Sequence, residues 1–193
     1  EEPVYVGLAV ALACVAMMLF MDNWIVPFVF LISIGMAILL NMGTNVFLGE
    51  VSYLTKALAA VLQLAVTMDY SIFLWHSYEE EKTTHKDKKE AMAIAINKTF
   101  TSVIGSSITT VAGFIALCFM SYTLGLDLGI VMAKGVIIGV IGCVTTLPSL
   151  ILVLDKLLSK TGHRSLLPDM RKLAGGVTKK FPIFLVLFVV ILE

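Results

Sequence analysis

The stretch "LAVTMDYSIFLW", residues 64–75, sets one carboxylate, Asp69, in a run that otherwise suits the interior of a bilayer. An Asp at the centre of a spanning helix costs about 2.5–3.5 kcal/mol on insertion scales, so it needs a partner, a proton or a role. The rest of the chain agrees with that setting. Of its 193 residues 59% are hydrophobic, well above a soluble domain, and its formal charge at pH 7 is balanced. Balanced charge gives no argument for nucleic acid as a partner. Cys14, Cys118 and Cys143 all fall in apolar runs without metal-ligand spacing and read as small buried residues. The sequence holds no nucleophile motif, no metal-binding cluster and no phosphate-cradling loop. Neither enzyme chemistry nor a cofactor is expected of it.

A spanning helix needs roughly 20 mostly apolar residues. Five stretches qualify, at residues 4–21, 24–40, 54–75, 100–120 and 128–154. The expected fold is therefore all-α, a polytopic membrane bundle over residues 1–154, followed by a basic amphipathic linker at 155–180. A sixth apolar run, "FPIFLVLFVVIL" at 181–192, covers only about 18 Å at helical rise and reads as the start of a further span, cut short. The opening "EEPVYVGLAV" has no basic region and does not read as a signal peptide.

Basic residues predict the orientation. The loop "YEEEKTTHKDKKEA" carries Lys82, Lys86, Lys88 and Lys89, with Lys98 just beyond. The linker carries Lys156, Lys160, Arg164, Arg171, Lys172, Lys179 and Lys180. The opposite loops, "NMGTNVFLGEVSY" and "SYTLGLD", have none. The positive-inside rule puts loops 76–99 and 155–180 in the cytoplasm and residue 1 outside, in a multi-pass cell-membrane protein. The short "DN" turn after Met21 should be cytoplasmic too and lacks a basic residue, a mild exception. Apolar spacing in "LDKLLSKTGHRSLLPDMRKL" fits a helix lying on the membrane surface, so membrane lipid is the expected neighbour.

Two readings of Asp69 stand side by side: a hydrogen-bonded carboxyl that holds helices together, or one that takes up and releases protons. The next span offers partners. In "NKTFTSVIGSSITTVAGF", Thr99, Ser102, Ser106, Thr109 or Thr110, and Gly113 recur at spacings near three and four, on one helix face. Counted inward from the shared loop, Ser106 reaches the depth of Asp69. Such a stripe also serves close helix packing, and a proton relay is the alternative. Tyr70 is turned about 100° from Asp69 and is expected to address a different neighbour, on a face with Gln63, Thr67, Ser71 and Leu74. Trp75 and His76 fall at the expected headgroup level. Lys134 lies about 10 Å outward of the centre of its span and is expected to snorkel to the outer surface, too far from Asp69 for an ion pair. Gly135, Gly139 and Gly142 offer that span a close-packing face.

Taken together, "TMDYSIFLWHSYEEE", "AMAIAINKTFTSVIGSSITTVAGFIALCFM" and "LGLDLGIVMAKGVIIGVIGCVTTLPSLILVLD" resemble the MMPL branch of the resistance-nodulation-division superfamily of exporters. The resemblance rests on Asp69 and Tyr70, the acidic end Glu79–Glu81, the hydroxyl-rich following span and the pair Leu147–Pro148, and it covers nearly the whole chain. It implies helices two to six of the first of two homologous halves, with the run at 181–193 opening the second half. It further implies outward transport of lipids or other amphiphiles, bound by porter domains absent from this chain and driven by protons. Asp69 would then carry the proton, and Tyr70 would meet the matching Asp of the other half. Patched-like receptors and sterol-sensing proteins share this five-helix block, so a lipid-sensing module is the competing expectation. A protein-secretion accessory predicts other acidic motifs and fits the Asp-Tyr pair poorly. Lys134 has no role in the general pattern.

Overall fold

In the computed structural model the described residues, 2–21, 23–48, 51–120, 123–159 and 161, form five α-helices and one 3-10 turn. The helices are α1 (Glu2–Phe20), α2 (Val26–Gly43), α3 (Tyr53–Thr84), α4 (Lys88–Leu117) and α5 (Thr123–Leu158). The 3-10 turn, Thr44–Leu48, continues directly from α2. No strand occurs among the described residues. Most of the expected linker, and the whole run at 181–193, lie outside them.

Four helices are long and apolar enough to cross a membrane: Val26–Val46, Tyr53–Thr84, Lys88–Leu117 and Leu124–Leu158. The described apolar part of α1, Val6–Leu19, is shorter than a crossing. At 32 residues α3 is about 48 Å long, well beyond a hydrocarbon core of about 30 Å. It runs on past Trp75 because its polar end carries its own pairs, Lys82 to Glu79 at 3.2 Å and His85 to Glu81 at 3.5 Å. Asp87 then caps α4 by accepting from the Lys89 N–H at 3.0 Å. α5 likewise continues through Leu158, so Asp155 belongs to the helix and not to the linker expected from residue 155. Apolar windows locate the hydrocarbon depth, whereas helix ends are set by caps and charge pairs.

α5 is the central helix and packs against α2, α3 and α4. Phe30 and Ile34 of α2, Leu74 and Tyr78 of α3, Met92 of α4 and Leu147 of α5 are almost fully buried in one cluster. Trp75 belongs to it, edge-on to Phe30 at 6.4 Å and 6.0 Å from the Tyr78 ring. It is a core ring, not the headgroup anchor its depth predicted. The outer surface is apolar, with Leu12, Leu39, Ile108 and Val153 all exposed, as suits a lipid environment.

Glycines bring α5 close against its neighbours, and two of those approaches are to α2 and α3. A Cβ on Gly139 would lie 2.6 Å from Thr67 Oγ1, and one on Gly135 would lie 2.6 Å from Asn41 Nδ2. Around Gly135, Asn41 donates to Gln63 Oε1 at 2.8 Å and Gln63 donates to the Gly135 carbonyl at 3.1 Å. Lys134 joins the same cluster, donating to the Asn41 carbonyl at 3.1 Å and to Asn45 Oδ1 at 2.6 Å. Its ammonium is therefore held by the end of α2, where free snorkelling was expected. Gly142 has only an ordinary contact, 3.7 Å to Ala37, and a Cβ on Gly113 would meet nothing within 4 Å. Of the four glycines singled out for packing, Gly135 and Gly139 make the close approaches and Gly113 makes none. Gly129, which the pattern did not single out, lies so close to α4 that a Cβ would sit 2.6 Å from Cys118 Sγ.

Candidate functional site: a groove between α3 and α4

Asp69 opens into a groove of about 360 Å³ on the seam between α3 and α4. The antiparallel pair is joined by the tight turn His85–Asp87, so depths on the two helices correspond, and Ser102, Ser106 and Thr110 of α4 face Asp69 and Tyr70 of α3 across the groove. Val66, Phe73 and Val103 complete the wall. Of these lining residues only Asp69 and Tyr70 are titratable; none is a cation. The structure thus brings together Asp69, Tyr70, Ser102 and Ser106. Thr109 is left out. Thr110 takes the lining position one residue on, and the hydroxyls of both threonines donate to the Ser106 carbonyl, at 2.8 and 2.9 Å. Thr99 is buried, donating to the Ala95 carbonyl at 2.8 Å.

The two members of the Asp-Tyr pair sit differently from expectation. Asp69 is exposed on the face of the bundle, whereas Tyr70 is 6% exposed and part of its core. At this level of α3 the exposed face of the bundle is the one that carries Asp69. Both nevertheless line one groove, so the 100° between them does not separate their surroundings. Tyr70 Oη has no hydrogen-bond partner among the described residues, nor has Thr67 Oγ1 one turn before it. Burying a hydroxyl in this way costs about 1–3 kcal/mol, a typical mark of a site that takes a polar ligand or water.

Sequence reading missed a second polar centre. Asp155 of α5 is 4% exposed and accepts from Tyr78 Oη at 3.3 Å. It forms an ion pair with Lys88 of α4 and lies 3.8 Å from Lys82 of α3, whose ammonium stands 5.6 Å from the Tyr78 ring centre. One carboxylate thereby ties three helices at their charged end. A last-turn Asp preceding a lysine looks like ordinary helix surface, so only its periodicity with Leu147 and Ile151, both buried in α5, signalled an inward face. Beside it, Thr161 donates to Asn23 Oδ1 at 2.9 Å, holding the α1–α2 turn against the end of α5. No group of His, Cys, Asp or Glu arranged to hold a metal ion occurs among the described residues.

A bundle of long apolar helices, with a carboxyl-and-hydroxyl groove halfway along α3, fits a polytopic membrane protein. The chain belongs to the MMPL family of the resistance-nodulation-division superfamily, whose sequence pattern matches residues 3–180. It is 28% identical over 138 residues to the membrane protein ActII-3 of Streptomyces coelicolor, a match covering 69% of this chain and 19% of that protein. It is 32% identical over 114 residues to the membrane protein MJ1562 of Methanocaldococcus jannaschii, covering 59% of this chain and 27% of that one. It is also 29% identical over 115 residues to MmpL5 of Mycobacterium tuberculosis, a siderophore exporter, covering 60% and 12% respectively. The chain thus spans about a quarter or less of the length of these relatives.

Proposed function

We propose that this chain is the membrane portion of a proton-driven exporter of lipids or other amphiphilic compounds, with Asp69 as the group that gains and loses the proton. The observation that carries the reading is the groove itself. A carboxyl halfway along α3 shares its groove with two serines and with Tyr70, whose buried hydroxyl has no partner among the described residues, and no lining residue is a cation that would fix it as an anion. A carboxylate facing lipid there is costly, so the face bearing Asp69 calls for a cover, and the second half of the same transporter is the natural one. Movement of a proton onto Asp69 removes that charge and changes how closely the two halves can pack, which is how proton flux becomes conformational change. Substrate is bound by porter domains outside the described bundle. The charged end, with Lys82, Lys86, Lys88, Lys89 and Lys98, faces the cytoplasm on this reading. In the complete protein Asp69→Asn should abolish proton-dependent export while leaving membrane insertion and folding intact. Export at wild-type rate in that variant would refute the role.

A second reading, a lipid-sensing module of the Patched type, draws on a different feature. A groove of about 410 Å³ between α2 and α5 is lined mainly by apolar side chains, among them Met36, Leu40, Ile138 and Ile141. It shares no wall residue with the groove at Asp69. Photocrosslinking with a lipid analogue separates the two: sensing requires labelling in this groove and tolerates Asp69→Asn.

A further inference from the structure

The groove between α2 and α5 has a cation beside one end. Ser33, Met36, Leu40 and Thr44 of α2 line one wall at spacings of three and four, a single stripe along that helix. Ile138, Ile141 and Thr145 form the matching stripe on α5. Lys134, one turn before Ile138, continues the α5 stripe past the groove. Its ammonium donates to the Asn41 carbonyl at 3.1 Å, and Thr44 Oγ1 donates to that same oxygen at 3.0 Å. The cation therefore stands two hydrogen bonds from a hydroxyl of the groove wall. Its other acceptor, Asn45, is next to the last residue of the apolar span Val26–Val46. This end of the groove is thus the end nearer the membrane surface.

From Ser33 to Thr44 the wall rises about 16 Å, close to the roughly 15 Å of hydrocarbon in one leaflet. Met36, Leu40 and Ile141 are all exposed, so the groove is open to what surrounds the bundle, and an acyl chain matches it in length and polarity. An ammonium carries three donors, and Lys134 gives one each to two neutral oxygens, so one remains. Among the described residues it has no carboxylate within ion-pair distance. Asp127, the nearest acidic residue along α5, lies two turns away, about 10 Å in rise. A cation with only neutral partners at the edge of the hydrocarbon is costly, and an anion at its third donor offsets that cost.

We propose that this groove holds one anionic phospholipid, its acyl chain lying between the two stripes and its phosphate accepting from Lys134. The inference deepens the lipid-sensing reading by naming the ligand class of its groove, and rests on that reading only for the presence of lipid there. The head is selected by charge. A zwitterionic head brings its own cation to its phosphate and gains less from Lys134. None of the residues lining the groove is charged, so the preference hangs on this one side chain. Lys134 thereby has two tasks, closing the end of α2 with two of its donors and holding a lipid with the third.

The test places the complete transporter in phosphatidylcholine vesicles with a trace of a phosphatidylglycerol or a phosphatidylcholine analogue, both carrying the same photoreactive acyl chain. After irradiation the label is mapped by peptide mass spectrometry. One lysine near the membrane surface favours an anionic lipid about five-fold, so label on Met36, Leu40, Ile138 and Ile141 should be about five-fold greater with the phosphatidylglycerol analogue. At Ile108, exposed on α4, the two analogues should label equally. Lys134→Met should bring the groove ratio to parity. Lys134→Arg should keep it, which separates the charge from the support Lys134 gives to α2. Parity in the wild-type groove, no label there, the same preference at Ile108, or an unchanged ratio in Lys134→Met would overturn the site; the wild-type ratios decide even where a variant fails to fold. Parity in the groove together with intact export in Asp69→Asn removes the anionic lipid and keeps the sensing reading. A five-fold ratio together with export abolished in Asp69→Asn keeps the bound lipid and removes sensing.

Discussion

Gly139→Ala probes the spacing that holds α3 in register beside α5. The added methyl carbon would lie 2.6 Å from Thr67 Oγ1 and 3.3 Å from Thr67 Cγ2, while ordinary contacts begin at 3.4 Å. Thr67 cannot swing clear cheaply, because a β-branched side chain in a helix has few usable rotamers. The two helices must part by some tenths of an ångström, two residues from Asp69. Overpacking of this kind costs about 1–3 kcal/mol. The Gly-to-Ala change returns about 0.5–1 kcal/mol through helix propensity, so the net loss should be about 0.5–2 kcal/mol. The pairing with Thr67 makes the argument sharp. Thr67→Ala deletes both crowding atoms and leaves Cβ at 3.5 Å, an ordinary distance, and the lost hydroxyl had no partner among the described residues. A double-mutant cycle on the purified transporter in one fixed detergent, read by thermal unfolding, should therefore show Thr67→Ala rescuing Gly139→Ala with a coupling of about 1–3 kcal/mol. A Gly139→Ala protein as stable as wild type, or additive losses in the double variant, would refute the close approach.

Tyr70→Phe removes a hydroxyl that no described group satisfies, so unfolding stability should stay within about 0.5 kcal/mol of wild type while proton-dependent export falls; a large stability loss would mean the hydroxyl is structural. Asp155→Asn keeps an acceptor for Tyr78 but removes the charge facing Lys88 and Lys82, and should cost about 1–3 kcal/mol in thermal unfolding. Lys134→Met releases Asn45 and the Asn41 carbonyl, and hydrogen exchange should quicken at Thr44–Leu48 with the core of α3 unchanged.

Membrane class, helical architecture and the meeting of Asp69 with Ser102 and Ser106 were all legible from composition, apolar length and three-to-four spacing. Depth matching worked because a single short turn joins α3 and α4, which leaves little freedom in their register. The misses share a cause. Trp75 and Lys134 were judged by depth along one helix and Asp155 by its place at the start of the linker, yet their surroundings are decided by which neighbour lies across from them: Phe30, Asn45 and Lys88 respectively. Thr109 and Thr110 could not be separated, since the one-residue difference is set by the twist of α4 against α3. Tyr70 was placed on one face with Gln63, Thr67 and Ser71, and all four are buried in the bundle.

The clamp at Asp155 constrains the kind of motion the bundle can make. Lys88, Lys82 and Tyr78 gather on one carboxylate, and Lys98 adds two bridges to Glu80 and Glu81 nearby. Among the described residues no side-chain hydrogen bond joins α3 to α4 beyond Lys98, as far as their opposite ends. A pair of rods pinned at one end fans open; it does not slide. From Lys82 to Asp69 is roughly 20 Å at helical rise, so a splay of about 5° at the pins opens the groove by nearly 2 Å. A change of that size exceeds the radius of a water molecule, so the width of the groove at Asp69 answers to an angle governed at the far end of the helices.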